Sequence, residues 1–248
     1  MRQGPAFRIY NLLLERFGPR GWWPVTPPGA LEPAYHPRRK TFRPPDEGGA
    51  FEIAVGAILT QNTAWANVRK ALMELNRRRL MSPERLLRAP FSSLAKAVRP
   101  SGYFRQKAKK LKVFSRFLQD RHGGRMKELL SRPLSQARSE LLKVHGIGPE
   151  TADSILLYAG ARPIFVVDAY TRRIGGRVGL FRTEDYEKAR AYFETALEGV
   201  PLKERAGLFG EYHALLVELG KNLCRPRPLC WTCPLQRACR TGRRKVRA

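Results

Sequence analysis

The chain has 248 residues, with 47 Lys and Arg against 21 Asp and Glu, and a formal charge of +26. At 43% hydrophobic and 10% aromatic residues it can bury a core in one large or two small domains, which excludes a disordered chain. The cation surplus calls for a polyanion, and nucleic acid is the expected partner because phosphate neutralisation releases condensed counterions.

No run of eighteen apolar residues occurs, and Met1-Arg2-Gln3-Gly4-Pro5 lacks the apolar core of a signal peptide. A soluble, cytoplasmic protein with no membrane partner is expected. Nineteen prolines and a preference for arginine are compatible with a heat-adapted source.

In chain order, Phe7, Ile9, Tyr10, Leu13, Leu14 and Phe17 fall at helical spacing, and Gly18-Pro19 ends that helix. Gly21-Trp22-Trp23-Pro24 opens an irregular, Pro-rich connection reaching about residue 48. Adjacent tryptophans there either cap the core or offer a platform for stacking on a base. Residues 51–59 read as a largely buried helix, followed by the polar break Thr60-Gln61-Asn62-Thr63 and a helix over about 65–78. Ser82-Pro83-Glu84 is an N-cap with proline in the first turn. Further helices are predicted over 91–98 and 104–121.

The next stretch carries the strongest turn signal. Residues 134–144 form one helix and 149–160 another, joined by Val144-His145-Gly146-Ile147-Gly148. Two glycines one residue apart before a helix start allow a tight turn whose amides face outward, a geometry that suits a phosphate. The apolar run 163–167 reads as an extended buried link into a helix over 168–178. Thr183-Glu184-Asp185 caps a helix through Leu197, and 209–222 is the last long one. Strand pairs and internal repeats are missing, so the class is all-α.

All four cysteines lie between residues 224 and 239, as Cys224-x5-Cys230-x2-Cys233-x5-Cys239. In a reducing compartment such a cluster ligates a metal or an iron–sulfur cluster, and spacing alone leaves [4Fe–4S] and zinc both open.

Three motifs together resemble the endonuclease III superfamily of helix-hairpin-helix DNA glycosylases. They are Gly146-Ile147-Gly148-Pro149-Glu150-Thr151-Ala152-Asp153, then Phe165-Val166-Val167-Asp168, then the cysteine loop preceded by His213-Ala214-Leu215-Leu216-Val217-Glu218-Leu219-Gly220. The resemblance spans roughly residues 50–240. It implies two helical domains with a DNA cleft between them. A barrel at 42–162 would carry the hairpin, and residues 1–41 with 163–248 would form a discontinuous cluster domain. It also implies a [4Fe–4S] cofactor on Cys224, Cys230, Cys233 and Cys239, although the first gap is five residues where the family has six. The implied DNA contacts are Gly146, Ile147 and Gly148 in the hairpin, Arg225 and Arg227 in the cysteine loop, and Gln61 as the side chain filling the gap left by a flipped base.

Asp168 matches the family's essential aspartate. A carboxylate there can activate water or stabilise positive charge on the deoxyribose as the glycosidic bond breaks, acting on an extruded nucleotide. Taken alone, an aspartate at a helix start is an ordinary N-cap. Glu150 stands where bifunctional members carry a Schiff-base lysine, and a glutamate cannot form an imine. Lys143, seven residues earlier, falls on the other hairpin helix. Tyr170 replaces a common histidine, and Ala57 replaces the acid of mismatch adenine glycosylases.

These features imply a monofunctional DNA N-glycosylase of base excision repair, acting as a monomer on double-stranded DNA with a damaged or mismatched base. Trp22, Trp23, Trp65 and Tyr170 are the base-pocket candidates, and they suit a cationic alkylated purine such as 3-methyladenine. The competing readings are uracil or thymine excision from mismatches, a bifunctional enzyme acting on oxidised pyrimidines, and a non-enzymatic DNA-binding iron–sulfur module.

Overall fold

The computed structural model describes residues 4–36, 42 and 45–247. Met1, Arg2 and Gln3 of the expected non-signal N-terminus, and part of the Pro-rich connection, lie outside the described residues. Among the described residues the protein is all-α, with a single antiparallel bridge between Val25 and Ala34.

In chain order the helices are α1 (Pro5–Phe17), α2 (Glu47–Leu59), α3 (Trp65–Arg77), α4 (Pro83–Arg88), α5 (Phe91–Ala97), α6 (Phe104–His122) and α7 (Met126–Leu130). Then follow α8 (Leu134–Leu142), α9 (Pro149–Ser154), α10 (Ala169–Val178), α11 (Tyr186–Ala196), α12 (Leu202–Asn222) and α13 (Arg240–Arg247). Helix α9 continues as a buried π-helical stretch, Ile155–Ala159. Local capping explains several starts. Asp46 accepts from Gly49 N at 2.7 Å, Ser82 from Arg85 N at 3.3 Å and Asp185 from Lys188 N at 2.8 Å, each satisfying an otherwise orphaned first-turn amide.

The fold divides into two units. One comprises Trp23–Tyr35 and Arg43–Arg162, the other Met1–Trp22, His36–Phe42 and Pro163–Ala248. Residues 23–35 therefore fall with the barrel unit, whereas the sequence reading put all of 1–41 with the cysteine loop. The reason is a buried carboxylate on α2. Glu52 accepts from Thr26 N at 2.9 Å and from Thr26 Oγ1 at 2.8 Å, and Asn76 on α3 donates to the same hydroxyl at 3.0 Å. These bonds pin the Pro-rich segment to the barrel.

Within the barrel unit α2 is the axis, since every residue from Gly49 to Leu59 is buried. Charged contacts tie its two ends to distant segments. Glu47 accepts from the amides of Met126 and Lys127 and so caps α7. Lys107 on α6 is 2% exposed and donates from Nζ to Leu59 O at 2.8 Å and to Ser101 O at 2.6 Å. A cation at a helix C-terminus satisfies orphan carbonyls and complements the helix dipole.

The second unit is built on α12. Tyr212 donates to Ala6 O at 2.8 Å, tying α1 down. Phe165 stacks on Phe193 with centroids 4.2 Å apart and meets Phe209 and Tyr212 edge-on. The link at 163–167 is neither helix nor strand, its residues 164–167 are buried, and Phe165 N donates to Glu194 at 2.9 Å.

Candidate active site and nucleic-acid interface

Asp168 is the N-cap of α10. Its Oδ1 accepts from Thr171 N at 2.7 Å, and its Oδ2 lies 3.7 Å from Nε2 of His213 on α12. The residue is 9% exposed. Burial pushes its carboxyl up, but the His213 ring and the Thr171 amide outweigh that, so the group sits below the usual aspartate range. The two oxygens are thus divided, one closing the helix and the other turned to a histidine. In the sequence His213 opens the His213–Gly220 segment of the resemblance without a task of its own, and the fold places it beside Asp168.

Helix α10 runs from this carboxylate to the cysteine loop. Arg173 donates from Nε to Cys224 O at 2.8 Å and from Nη2 to Gly220 O at 3.0 Å. Arg177 donates to Arg225 O at 2.6 Å, to Pro226 O at 2.9 Å and to Cys224 Sγ at 3.4 Å. Tyr170 lies flat on α12, where a Cβ on Gly220 would fall 2.4 Å from its ring, and Arg173 covers the ring at 5.1 Å. That packing commits Tyr170 to the α10–α12 contact.

Cys224, Cys230, Cys233 and Cys239 line one small cavity together with Arg177, Gly242 and neighbouring loop residues. Among the described residues no three Cys, His, Asp or Glu side chains gather on a single metal ion. Four thiols lining one cavity are the donor set that a [4Fe–4S] cluster takes. Gly242 N donates to Cys239 Sγ at 3.3 Å, a bond of the kind that stabilises a ligating thiolate. Burial first, and then the three neighbouring cysteines, push the Cys233 thiol up to about 11, so four thiolates here need a cationic centre. The donor set therefore fits a [4Fe–4S] cluster. Arg225 and Arg227 are exposed on the same loop.

In the barrel unit, α8 and α9 form the hairpin. Gly146 has φ +87°, and a Cβ there would meet the Lys110 stem at 2.6 Å, so only glycine fits. The Ile147 amide is spent on Val144 O at 3.0 Å and its side chain is buried, making it an anchor of the turn. Gly148, the N-cap of α9, faces open space. Arg138 clamps the hairpin, donating to both oxygens of the fully buried Asp153 at 2.7 and 3.2 Å. Glu150 is exposed in the first turn of α9, and Lys143 is exposed at the end of α8.

Gln61 is not a free wedge in this arrangement. Its Nε2 donates to Gly146 O at 2.9 Å and to Thr151 Oγ1 at 3.0 Å, while its Oε1 accepts from Lys110 Nζ. Its neighbour Asn62 is exposed and left-handed, with φ +54°. Trp23 is buried against Gly56, edge-on to Trp65 at 5.6 Å and near Tyr158 at 5.3 Å, so it belongs to the barrel core. Trp22 and Trp65 remain half-buried.

Residues 55–198 match the HhH-GPD superfamily base excision DNA repair protein family. The chain belongs to that superfamily. "Putative DNA repair glycosylase MJ1434" of Methanocaldococcus jannaschii is 35% identical over 94% of each chain. Endonuclease III of Thermotoga maritima is 32% identical over 80% of this chain and 86% of its own. Among solved structures, the H. pylori 3-methyladenine DNA glycosylase MagIII bound to 1,N6-ethenoadenine aligns with TM-score 0.68 and 29% identity, covering 87% of this chain and 97% of that one. The activity class of the HhH-GPD chain is DNA N-glycosylase of base excision repair. Among the described residues no helix is long and apolar enough to cross a membrane.

Proposed function

We propose that this HhH-GPD protein is a monofunctional DNA N-glycosylase that excises an alkylated purine such as 3-methyladenine. The reading is supported by two separate observations, a glutamate and not a lysine at position 150 in the first turn of α9, and an Asp168 carboxyl held below its usual range. An exposed carboxylate cannot attack C1′ as an amine does. Asp168, held low in pKa, is a weak general base, and its natural work is to stabilise positive charge on the sugar.

In that step the C1′–N bond breaks heterolytically and the electron pair leaves with the base. A cationic alkylated purine departs neutral, so little further catalytic assistance is needed. Water then adds to C1′ and loses a proton to solvent, and an intact abasic site remains. The 29% identity to an enzyme named for 3-methyladenine supports this substrate class. Trp22 in one unit and Trp65 in the other each stay candidates for contact with the base, and Asn62 takes over from Gln61 as the candidate wedge.

Cys224, Cys230, Cys233 and Cys239 would hold a [4Fe–4S] cluster, which when bound supplies a rigid cross-link for the loop. Duplex DNA is the partner.

The test is release of free base from duplexes carrying 3-methyladenine, 1,N6-ethenoadenine, uracil opposite guanine, thymine opposite guanine or an oxidised pyrimidine. The expected result is release from the alkylated duplex with no strand cleavage and no covalent adduct on borohydride treatment. A trapped adduct with the wild-type chain, or release confined to oxidised pyrimidines, overturns the proposal in favour of an endonuclease III-type activity.

A further inference from the structure

From Leu219 to the C-terminus the sequence holds nine Lys and Arg and no Asp or Glu. Part of that stretch is helix α13, on which Arg240, Arg243, Arg244 and Lys245 are exposed. Arg240, Arg243 and Arg244 stand at i, i+3 and i+4 spacing, where like charges repel and destabilise an isolated helix. The chain holds these cations together nonetheless, and it anchors the helix firmly. Thr241 donates to Arg177 O at 3.2 Å, Arg243 N donates to Cys239 O at 3.0 Å, and the Arg240 stem lies against Gly179. The anchoring accounts for Thr241 and Arg240. It leaves Arg243, Arg244 and Lys245 pointing to solvent with no structural task.

We infer that α13 is a second DNA-contact surface, which grips the phosphate backbone of duplex flanking the lesion. An eight-residue helix is about 12 Å long, and duplex DNA presents one negative charge per roughly 1.7 Å of its axis, so several phosphates fall within reach of the row. A membrane surface is a poorer match, because an interfacial helix needs an apolar face and Val246 is the only large apolar residue in Arg240–Arg247. Trp231, 70% exposed in the short turn Cys230–Thr232 that packs beside α13, adds an aromatic face to the cationic one. That combination is the usual make-up of nucleic-acid surfaces. The inference rests on the DNA-binding part of the reading above and is independent of which base is excised.

The experiment compares the full-length protein with the triple variant Arg243→Glu, Arg244→Glu, Lys245→Glu on undamaged duplex, following the observed binding constant against salt. Each lost phosphate contact reduces the slope of log K against log salt by about 0.9. The expected result is a slope smaller in magnitude by about 2–3, with single-turnover excision at saturating protein changed less than twofold. The triple Gln variant controls for folding. It is expected to shift the slope the same way at an unchanged melting temperature. An unchanged slope in both variants, including one accompanied by weakened RNA or vesicle binding, overturns the inference. Because binding is read on DNA without a lesion, failure of the alkylated-purine assignment leaves this test intact.

Discussion

The imidazole of His213 sits 3.7 Å from the Asp168 oxygen that the helix cap leaves over. A ring from α12 thus favours the ionised form of a carboxylate on α10, together with the Thr171 amide. Asp168→Asn keeps the shape and the cap acceptor but removes the charge. We expect single-turnover excision to fall by about 10²–10³ while binding to undamaged duplex stays within a factor of three. Unchanged excision on every lesion duplex would contradict the catalytic assignment.

The pH dependence follows from the same pair. Because the folded carboxyl lies below its unfolded value of about 3.9, it stays ionised through neutral pH. The stability it contributes is present above that value and is lost as pH falls through the folded one. In His213→Ala the compensating contact is gone and burial dominates, so the acid limb of the rate profile moves to higher pH. A limb that stays in place would show that His213 does not tune Asp168.

Gln61 and Asn62 differ in what they are free to do. Gln61→Ala removes three hydrogen bonds that join the α2–α3 loop to the hairpin. At about 1 kcal/mol for a typical bond, it is expected to lower the melting temperature measurably. Asn62→Gly keeps the left-handed backbone at φ +54° and removes only the exposed side chain, so it is expected to leave the melting temperature nearly unchanged while reducing base eversion as read by 2-aminopurine fluorescence beside the lesion. The reverse pattern would return the wedge to Gln61.

The Arg138–Asp153 pair clamps the hairpin from within. Arg138→Ala strands a fully buried carboxylate, and breaking such a pair costs roughly 3–5 kcal/mol. Chemical denaturation should record that loss. A variant as stable as the wild type would mean that water replaces the guanidinium.

Lys107 gives a prediction at alkaline pH. Burial, with some repulsion from Lys110, pushes its amine down to about 8. Between about 8 and the unfolded value of about 10.4, the unfolded chain binds more protons than the folded one, so this group makes stability rise with pH. Relative to Lys107→Met, the wild type should gain stability across that window, and parallel stability curves would refute it.

Much of the fold can be read locally. Asp46, Ser82 and Asp185 announce helix starts because each cap is satisfied within three residues. Helix α7 escapes such reading because its N-terminal amides are capped by Glu47, some eighty positions away. Helix α13 escapes because a row of cations carries no apolar period, and α12 begins at Leu202, before its apolar pattern starts. In the site, the motifs mark Asp168, Glu150 and the cysteines by spacing. The tasks of His213, Lys107 and Lys110 exist only once distant helices meet. Trp23, equivalent to Trp22 by sequence, is separated from it by which unit its backbone joins.

Helix α10 starts at a charged group and finishes on a sulfur-bearing loop, fastened there by Arg173 and Arg177. Such a rod behaves as a tiller: slack at the far end swings the near end. Oxidative damage to the cysteines would therefore be felt at the Asp168 carboxylate without any bond near it being broken.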